Sequence, residues 1–309
     1  MKFFKPKFWD KNKISFFSIL LFPVALLIKL LSKLERIIIK KHKCSIPIIC
    51  IGNIYLGGTG KTPLSIEILS ILKNLNKNPA FIKKKYKFLE DETKLQKKFG
   101  PIYADKKRIN AIKKAVNNSI DVAILDDGYQ DFSIKKDLSI ICFNEKQWIG
   151  NGFTIPSGPL REGLSSLKRA SCVVINGKKN SRIESKILQR NKKMNFFYMS
   201  YKPQNIEEFK NKRILAFAGI GNPINFFDLL DNNHINVTKK LSFPDHHDYT
   251  AKELQSLRDQ AEKNEAILLT TEKDFLRINE NFQKKINCLK IAVDIDNKDQ
   301  FIKKIKSII

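Results

Sequence analysis

The sequence predicts an α/β fold: a doubly wound, mostly parallel sheet, a second, smaller α/β domain, and an N-terminal apolar helix. Three observations carry this. Short apolar runs alternate with helically patterned stretches along most of the 309 residues, which is the pattern of βα units and a parallel sheet. An apolar run at 46–51 leads into Asn53-Ile54-Tyr55-Leu56-Gly57-Gly58-Thr59-Gly60-Lys61-Thr62-Pro63, and 64–72 leads away with apolar residues at helical spacing. Residues 16–31 are almost wholly apolar, broken by Pro23 and Lys29, after a lysine-rich start that holds Phe3, Phe4, Phe8 and Trp9.

The apolar segment is short for a membrane span, which needs about 20 residues. Basic-then-apolar order also suits a cleaved signal peptide, but no small-x-small site follows and Lys33, Glu35, Arg36 and Lys40 come next. The segment is therefore expected to be an amphipathic or shallowly inserted anchor, held at an anionic leaflet by flanking lysines. The competing expectation is a buried N-terminal helix packed on the domain.

Strand, glycine loop, Lys-Thr and helix together form the context of a phosphate-binding P-loop. Glycines let backbone N–H groups close around phosphate oxygens, and the following helix presents its first amides to the same anion. In this reading Tyr55, Leu56, Gly57, Gly58, Thr59, Gly60, Lys61 and Thr62 hold the phosphates of a nucleotide. Lys61 reaches the β- and γ-phosphates, and the Thr62 hydroxyl holds Mg²⁺. The first glycine of the strict pattern falls on Tyr55. The plain alternative is a glycine turn between a strand and a helix.

Residues 78–83 read as a second strand, 86–93 as a charged loop with Glu90-Asp91-Glu92, and 109–116 as a helix. The apolar strand 121–125 ends in Asp126-Asp127-Gly128. Carboxylates at the end of a buried strand downstream of a P-loop are Walker-B-like and suit Mg²⁺, although Asp-Gly also marks plain turns. A strand at 138–143 precedes an irregular loop, 151–161, with Gly152, Pro156, Gly158 and Pro159. It ends in Arg161-Glu162, a pair suited to clamping phosphate and metal, or equally to a surface ion pair. Another strand is expected at 170–176, and polar 203–212 as the domain junction. The expected domains are 1–40 (the membrane-associating helix, part of the first domain), 41–204 (a P-loop domain) and 205–309 (a smaller α/β domain).

In the second domain a strand at 213–218 runs through Gly219-Ile220-Gly221-Asn222-Pro223 into a helix at 224–230. This lone G-x-G is a weak dinucleotide signal, since the third glycine and the later acid are missing. Phe243-Pro244-Asp245-His246-His247-Asp248-Tyr249 is a dense polar loop in which Asp245-His246 could be an oriented acid–base pair. A strand at 266–269 precedes Thr270-Thr271-Glu272-Lys273-Asp274, which opens a helix with an N-cap pattern.

The formal net charge is +26, with lysine far outnumbering arginine but scattered along the chain. A nucleic-acid binder gathers its cations on one face, so a basic compositional bias with an anionic membrane surface as partner is favoured over nucleic acid. The five cysteines lack C-x-x-C spacing, and the four histidines do not pair with them at zinc-ligand spacing. They are expected to be reduced core residues.

Taken in order, the motifs resemble the tetraacyldisaccharide 4′-kinase family of lipid A biosynthesis. They are the apolar N-terminus, Gly52-Asn53 through Gly57-Gly58-Thr59-Gly60-Lys61-Thr62-Pro63, and Asp91-Glu92. Asp126-Asp127-Gly128-Tyr129-Gln130 and Pro156-Ser157-Gly158-Pro159-Leu160-Arg161-Glu162 follow. Ala216 to Pro223, Phe243 to His247 and Thr270 to Asp274 complete the set, which runs over nearly the whole chain. The resemblance implies transfer of the γ-phosphate of ATP to the 4′-hydroxyl of a tetraacylated disaccharide 1-phosphate. It further implies work at the cytoplasmic face of the inner membrane of a Gram-negative bacterium, by a protein expected to be a monomer. Carried over, Lys61 and Thr62 hold triphosphate and Mg²⁺, Asp126 and Glu162 are metal-ligand candidates with Asp127 close by, and Arg161 neutralises the transferring phosphoryl. Asp91 is the candidate base for the sugar hydroxyl, with His246 orienting or tuning it.

Three positions depart from the family pattern: Asp131 stands where it has His, Lys84-Lys85-Tyr86-Lys87 where it has R-G-Y-G, and Tyr55 where it has a small residue. The alternatives are a P-loop NTPase switch, which would hydrolyse nucleotide without an acceptor, and a kinase for a different membrane-associated acceptor.

Overall fold

A computed structural model describes residues 6–10, 14–85 and 90–309, apart from the side chains of 90 and 91. Residues 1–86, 99–200 and 295–309 form one compact unit, and 87–98 with 201–294 form a second. This division differs from the expected boundary in three ways, the first being that the junction falls after Ser200 rather than at 204. The segment 87–98 leaves the P-loop unit, and the last fifteen residues (295–309) return to it.

In chain order the elements are helices α1 (Phe16–Leu20) and α2 (Phe22–Ile38), β1 (Ile48–Gly52), α3 (Lys61–Asn74), β2 (Pro79–Lys84) and α4 (Glu90–Lys97). Next come β3 (Ile102–Asp105), α5 (Arg108–Asn117), β4 (Val122–Asp126), β5 (Leu138–Asn144), β6 (Cys172–Asn176), α6 (Ser181–Leu188) and β7 (Asn195–Pro203). They continue with β8 (Ile214–Ala218), α7 (Pro223–Asn232), β9 (Val237–Ser242), α8 (Ala251–Lys263), β10 (Ile267–Thr271), α9 (Glu272–Phe275) and α10 (Glu280–Gln283). The chain ends with β11 (Ile286–Leu289), β12 (Ile291–Ile295) and α11 (Lys298–Lys306).

The large sheet has the order β12-β7-β6-β5-β1-β4-β2-β3. β1 lies inside it, parallel to β4 with Ile51 opposite Asp126, and parallel to β5 with Gly52 opposite Ile141. Every residue of β1, β4, β5 and β6 is buried, which is why these strands read as unbroken apolar runs. The order reverses direction at β1: the chain leaves it through α3 towards β2 on one side and later fills β5, β6 and β7 on the other. Ligand crevices of doubly wound sheets lie at the carboxyl ends of strands at such a point. The second unit carries the sheet β11-β10-β8-β9, whose three pairings are all parallel.

Strands β3, β7, β9, β11 and β12 are not legible in the sequence. β9, Val-Thr-Lys-Lys-Leu-Ser, ends its sheet and leaves its lysines exposed, so it lacks a buried run to read. The expected charged loop at 86–93 is corrected over its described part: a helix starts at Glu90. Its Glu, Lys and Gln residues are good helix formers, and only Leu95 and Gln96 are buried among its described side chains.

The N-terminal segment forms two helices rather than one, and they are not buried. Phe16 and Ile37 are each 74% exposed, and most large apolar residues between them face outward. The packed exceptions are few. Trp9 donates its indole N–H to Pro156 O at 3.1 Å, Ala25 is buried, and Ser18 accepts from Asn151 Nδ2 at 3.0 Å. Among the described residues no helix is long and apolar enough to cross a membrane.

Candidate active site

The loop after β1 is shaped by glycine where side chains would resist. Gly57 has φ 135° and Gly60 φ 93°, both in the region L side chains avoid. Gly60 is the N-cap of α3, so the free amides of the first turn open onto the loop. Asn53, fully buried, braces the loop from within by donating from Nδ2 to Gly57 O (3.3 Å) and Thr59 Oγ1 (3.1 Å). Gln130 Nε2 in turn donates to Asn53 O at 2.9 Å, which ties the loop to the segment after β4.

Tyr55 and Leu56, expected among the nucleotide-binding residues, are tied into the scaffold of the loop. Tyr55 is completely buried and its hydroxyl donates to Asp10 at 2.6 Å. Burial, with help from that carboxylate, pushes its phenol far above the usual range. The Leu56 amide is taken up by Pro159 O at 2.8 Å. Tyr55 bridges Leu160 in antiparallel fashion, and the Arg161 amide donates to Ile54 O at 2.7 Å. The irregular loop 151–161 is thereby zipped along the entry to the glycine turn, and Arg161 is delivered beside it.

Asp127 is the meeting point. It follows β4 with φ 56°. Arg161 Nη1 donates to both its oxygens, at 2.9 and 3.0 Å, and Lys61 Nζ stands 3.6 Å from Oδ1. Asp126, buried at the end of β4, has Lys83 Nζ at 3.5 Å from Oδ2. Thr62, also buried, sits in the first turn of α3. Lys83 escapes a reading of the sequence because one lysine in a lysine-rich chain carries no signal. Only the pairing of β2 with β4 shows its role.

Glu162, an expected metal-ligand candidate, is engaged by two arginines. Arg36 Nη2 and Arg169 Nη2 each donate to its Oε2 at 2.8 Å, so its charge is already met. The departure at Asp131 also finds a purpose. Its Oδ2 accepts from Arg108 Nη1 at 3.0 Å, while Arg108 Nη2 donates to the Asp127 carbonyl at 2.9 Å. Burial alone would raise the Asp131 pKa, but the bonds from Ser133 and Arg108 outweigh it and hold the carboxyl below its ordinary value. Cys50, Cys142 and Cys172 are buried free thiols, and burial pushes Cys50 up to about 11.

The second unit holds the other candidates. The Asp91 side chain lies outside the described residues. Its helix α4 clusters with α9, joined by a Glu92–Lys273 ion pair at 2.9 Å. His246 has φ 56°, donates its amide to Gly219 O, and brings Nε2 to 3.8 Å from Asp245 Oδ1. His247 instead pairs with Glu253 at 3.1 Å. Thr271 caps α9, as expected, through Asp274 N. Asp274 is fully buried and accepts from Tyr249 (3.0 Å), Thr271 (2.7 Å) and Arg277 (2.9 Å). The expected boundaries group Asp91 with the P-loop, whereas α4 belongs to the unit that carries His246.

Known proteins supply the family. The family described as LpxK, tetraacyldisaccharide-1-P 4′-kinase, matches residues 17–94 and 89–309. A tetraacyldisaccharide 4′-kinase of Pelagibacter ubique (strain HTCC1062) is 43% identical over 311 residues, covering 99% of this chain and 98% of that protein. One from Rickettsia bellii (strain OSU 85-389) is 30% identical over 322 residues, covering 99% and 98%. The crystal structure of LpxK from Aquifex aeolicus, solved in complex with ATP, superposes with a TM-score of 0.69 at 24% identity, over 94% of this chain and 97% of that one. That likeness shows a shared fold. On the family match and these identities, the chain belongs to the tetraacyldisaccharide-1-P 4′-kinase family, and so is a kinase.

Proposed function

We propose that the chain transfers the γ-phosphate of ATP to the 4′-hydroxyl of tetraacyldisaccharide 1-phosphate in lipid A biosynthesis, and that the residues gathered at the carboxyl ends of β1 and β4 perform it. The observation that carries this is the convergence of Lys61 and Arg161 on Asp127 beside a glycine cradle. The cradle suits a triphosphate: two glycines at positive φ precede the N-terminal amides of a 14-residue helix, the arrangement that would receive one anion. Thr62 and Asp126 supply the two protein oxygens that a Mg²⁺ sharing phosphate ligands would use. Bound there, Mg²⁺ would neutralise charge on the β- and γ-phosphates.

Lys61 and Arg161 supply positive charge where the phosphoryl group moves, and Asp127 holds both in place until substrate arrives. Asp91 accepts the proton of the 4′-hydroxyl, and His246 orients it. The support for that pair is that α4 and the 243–249 loop belong to the same compact unit. The exposed apolar faces of α1 and α2, with Lys29, Lys33 and Lys40, suit an anionic bilayer surface and peripheral attachment. The site belongs, in this proposal, at the cytoplasmic face of the inner membrane and works in a monomer.

The test is phosphate transfer from γ-labelled ATP to tetraacyldisaccharide 1-phosphate in mixed micelles, with wild type beside Asp91→Ala. Wild type should transfer, and the variant should lose roughly 10²–10⁴-fold, the range for a general base. A wild type that binds ATP yet phosphorylates nothing would refute the acceptor. A variant with full activity would remove Asp91 from the mechanism.

A further inference from the structure

One ion pair ties the exposed helix α2 to the loop of Arg161. Arg36, in the last turn of α2, donates from Nη2 to Glu162 Oε2 at 2.8 Å. Glu162 is only 6% exposed and is the chain neighbour of Arg161. The remaining links are short and all within one unit. The Arg161 amide is fixed on Ile54 O, and its guanidinium holds Asp127, 3.6 Å from Lys61. Arg36 also lies 4.5 Å over the Phe132 ring, and Arg169, the second partner of Glu162, lies 4.8 Å over Tyr129. Tyr129 packs so closely on Gly52, at the end of β1, that a Cβ there would stand 2.4 Å from its own. A continuous set of packed and paired groups thus runs from α2 to the phosphate cradle.

We infer that Arg36 is a positioning residue: through Glu162 it transmits the seating of α2 on a lipid surface to Arg161 and Asp127. The inference rests on the role proposed above for Arg161. The physical reason lies in how the two arginines on Glu162 are anchored. Arg169 is seven positions further along the same segment and moves with it, whereas Arg36 is 126 positions away on a separate helix. Of the two partners, only Arg36 can report where α2 sits. Losing Arg36 leaves Glu162 paired with Arg169 and the loop still held to α2 by Phe153 against Phe22 and to α1 by Asn151 on Ser18, so the fold is kept while Glu162 loses its tie to the last turn of α2.

The experiment uses the full chain as wild type, Arg36→Ala and Arg36→Lys. Steady-state transfer is measured in mixed micelles, and hydrogen exchange at the Arg161 amide is measured with and without vesicles of anionic phospholipid. Arg36→Ala should lower kcat about tenfold or more, as small misplacements of a phosphoryl clamp do. Its KM for ATP should stay within about twofold, since the cradle is untouched. Arg36→Lys should recover part of the loss, because it keeps the charge but not the fork. Vesicles should slow exchange at Arg161 in wild type and not in Arg36→Ala. Wild-type kcat in Arg36→Ala overturns the inference, as does equal slowing of exchange in both proteins. If wild type phosphorylates no disaccharide, the proposed function falls by itself, and the exchange measurement still decides the role of Arg36.

Discussion

Two turns in this molecule share one local grammar. After β1 and again after β8, a buried strand runs through a glycine-containing turn into a helix. The turn after β1 keeps Gly57 and Gly60 at positive φ and carries Lys61 at the helix start. The turn after β8 is filled by its own unit. A Cβ on Gly219 would stand 2.9 Å from the Tyr249 hydroxyl and 3.1 Å from Asp274 Oδ1, and Arg277 Nη1 donates to Gly219 O at 2.7 Å. One turn carries two glycines at positive φ and a lysine at the helix start, whereas the other satisfies its polar groups internally. Glycine in the first supplies a backbone conformation, and in the second it supplies room.

The largest effect that separates the two turns is expected at Asp274. Asp274→Ala strands Arg277 and Tyr249 in a buried site and should cost about 3–5 kcal/mol, read from urea unfolding of the full chain. ATP affinity, measured by calorimetry, should stay near wild type. Lost nucleotide binding in a folded Asp274→Ala protein would erase the distinction between the turns. A smaller effect is expected from Gly60→Ala, which forces an L side chain to φ 93° at a cost of about 1–2 kcal/mol. It should weaken ATP binding, while Gly219→Ala should lower the melting temperature without changing ATP affinity. Swapped outcomes would mean that the second turn holds the ligand. The smallest effect is expected at Tyr55. Tyr55→Phe deletes the bond to Asp10 and should cost about 1 kcal/mol, leaving the KM for ATP unchanged. A raised KM would return Tyr55 to the nucleotide site.

The parts that are legible in sequence are those in which neighbours along the chain act together. β1 and β4 are buried on both faces, so they read as apolar runs, and Asp126-Asp127-Gly128 is legible because it directly follows one of them. The cap of α9 is legible because Thr271 and Asp274 are three residues apart. The motif position of Tyr55 describes backbone spacing, and only the structure shows that its side chain is fully buried and bonded to Asp10. Glu162 suggests a metal because it follows Arg161. Only the structure shows that Arg36 and Arg169 engage it.

Residue types at short, fixed spacing are enough to indicate the class of sheet, the glycine turn and the acidic strand end, and the order of such motifs along the chain indicates the family. Which charges meet was settled by tertiary packing alone. Lys83 reaches Asp126 across paired strands, Arg108, held by Asp131, braces Asp127 from α5, and Arg36 reaches Glu162 from a helix 126 positions away. An ion pair needs two side chains within about 4 Å. Nothing in local spacing records which distant cation the fold brings there, least of all in a chain with 57 lysines and arginines.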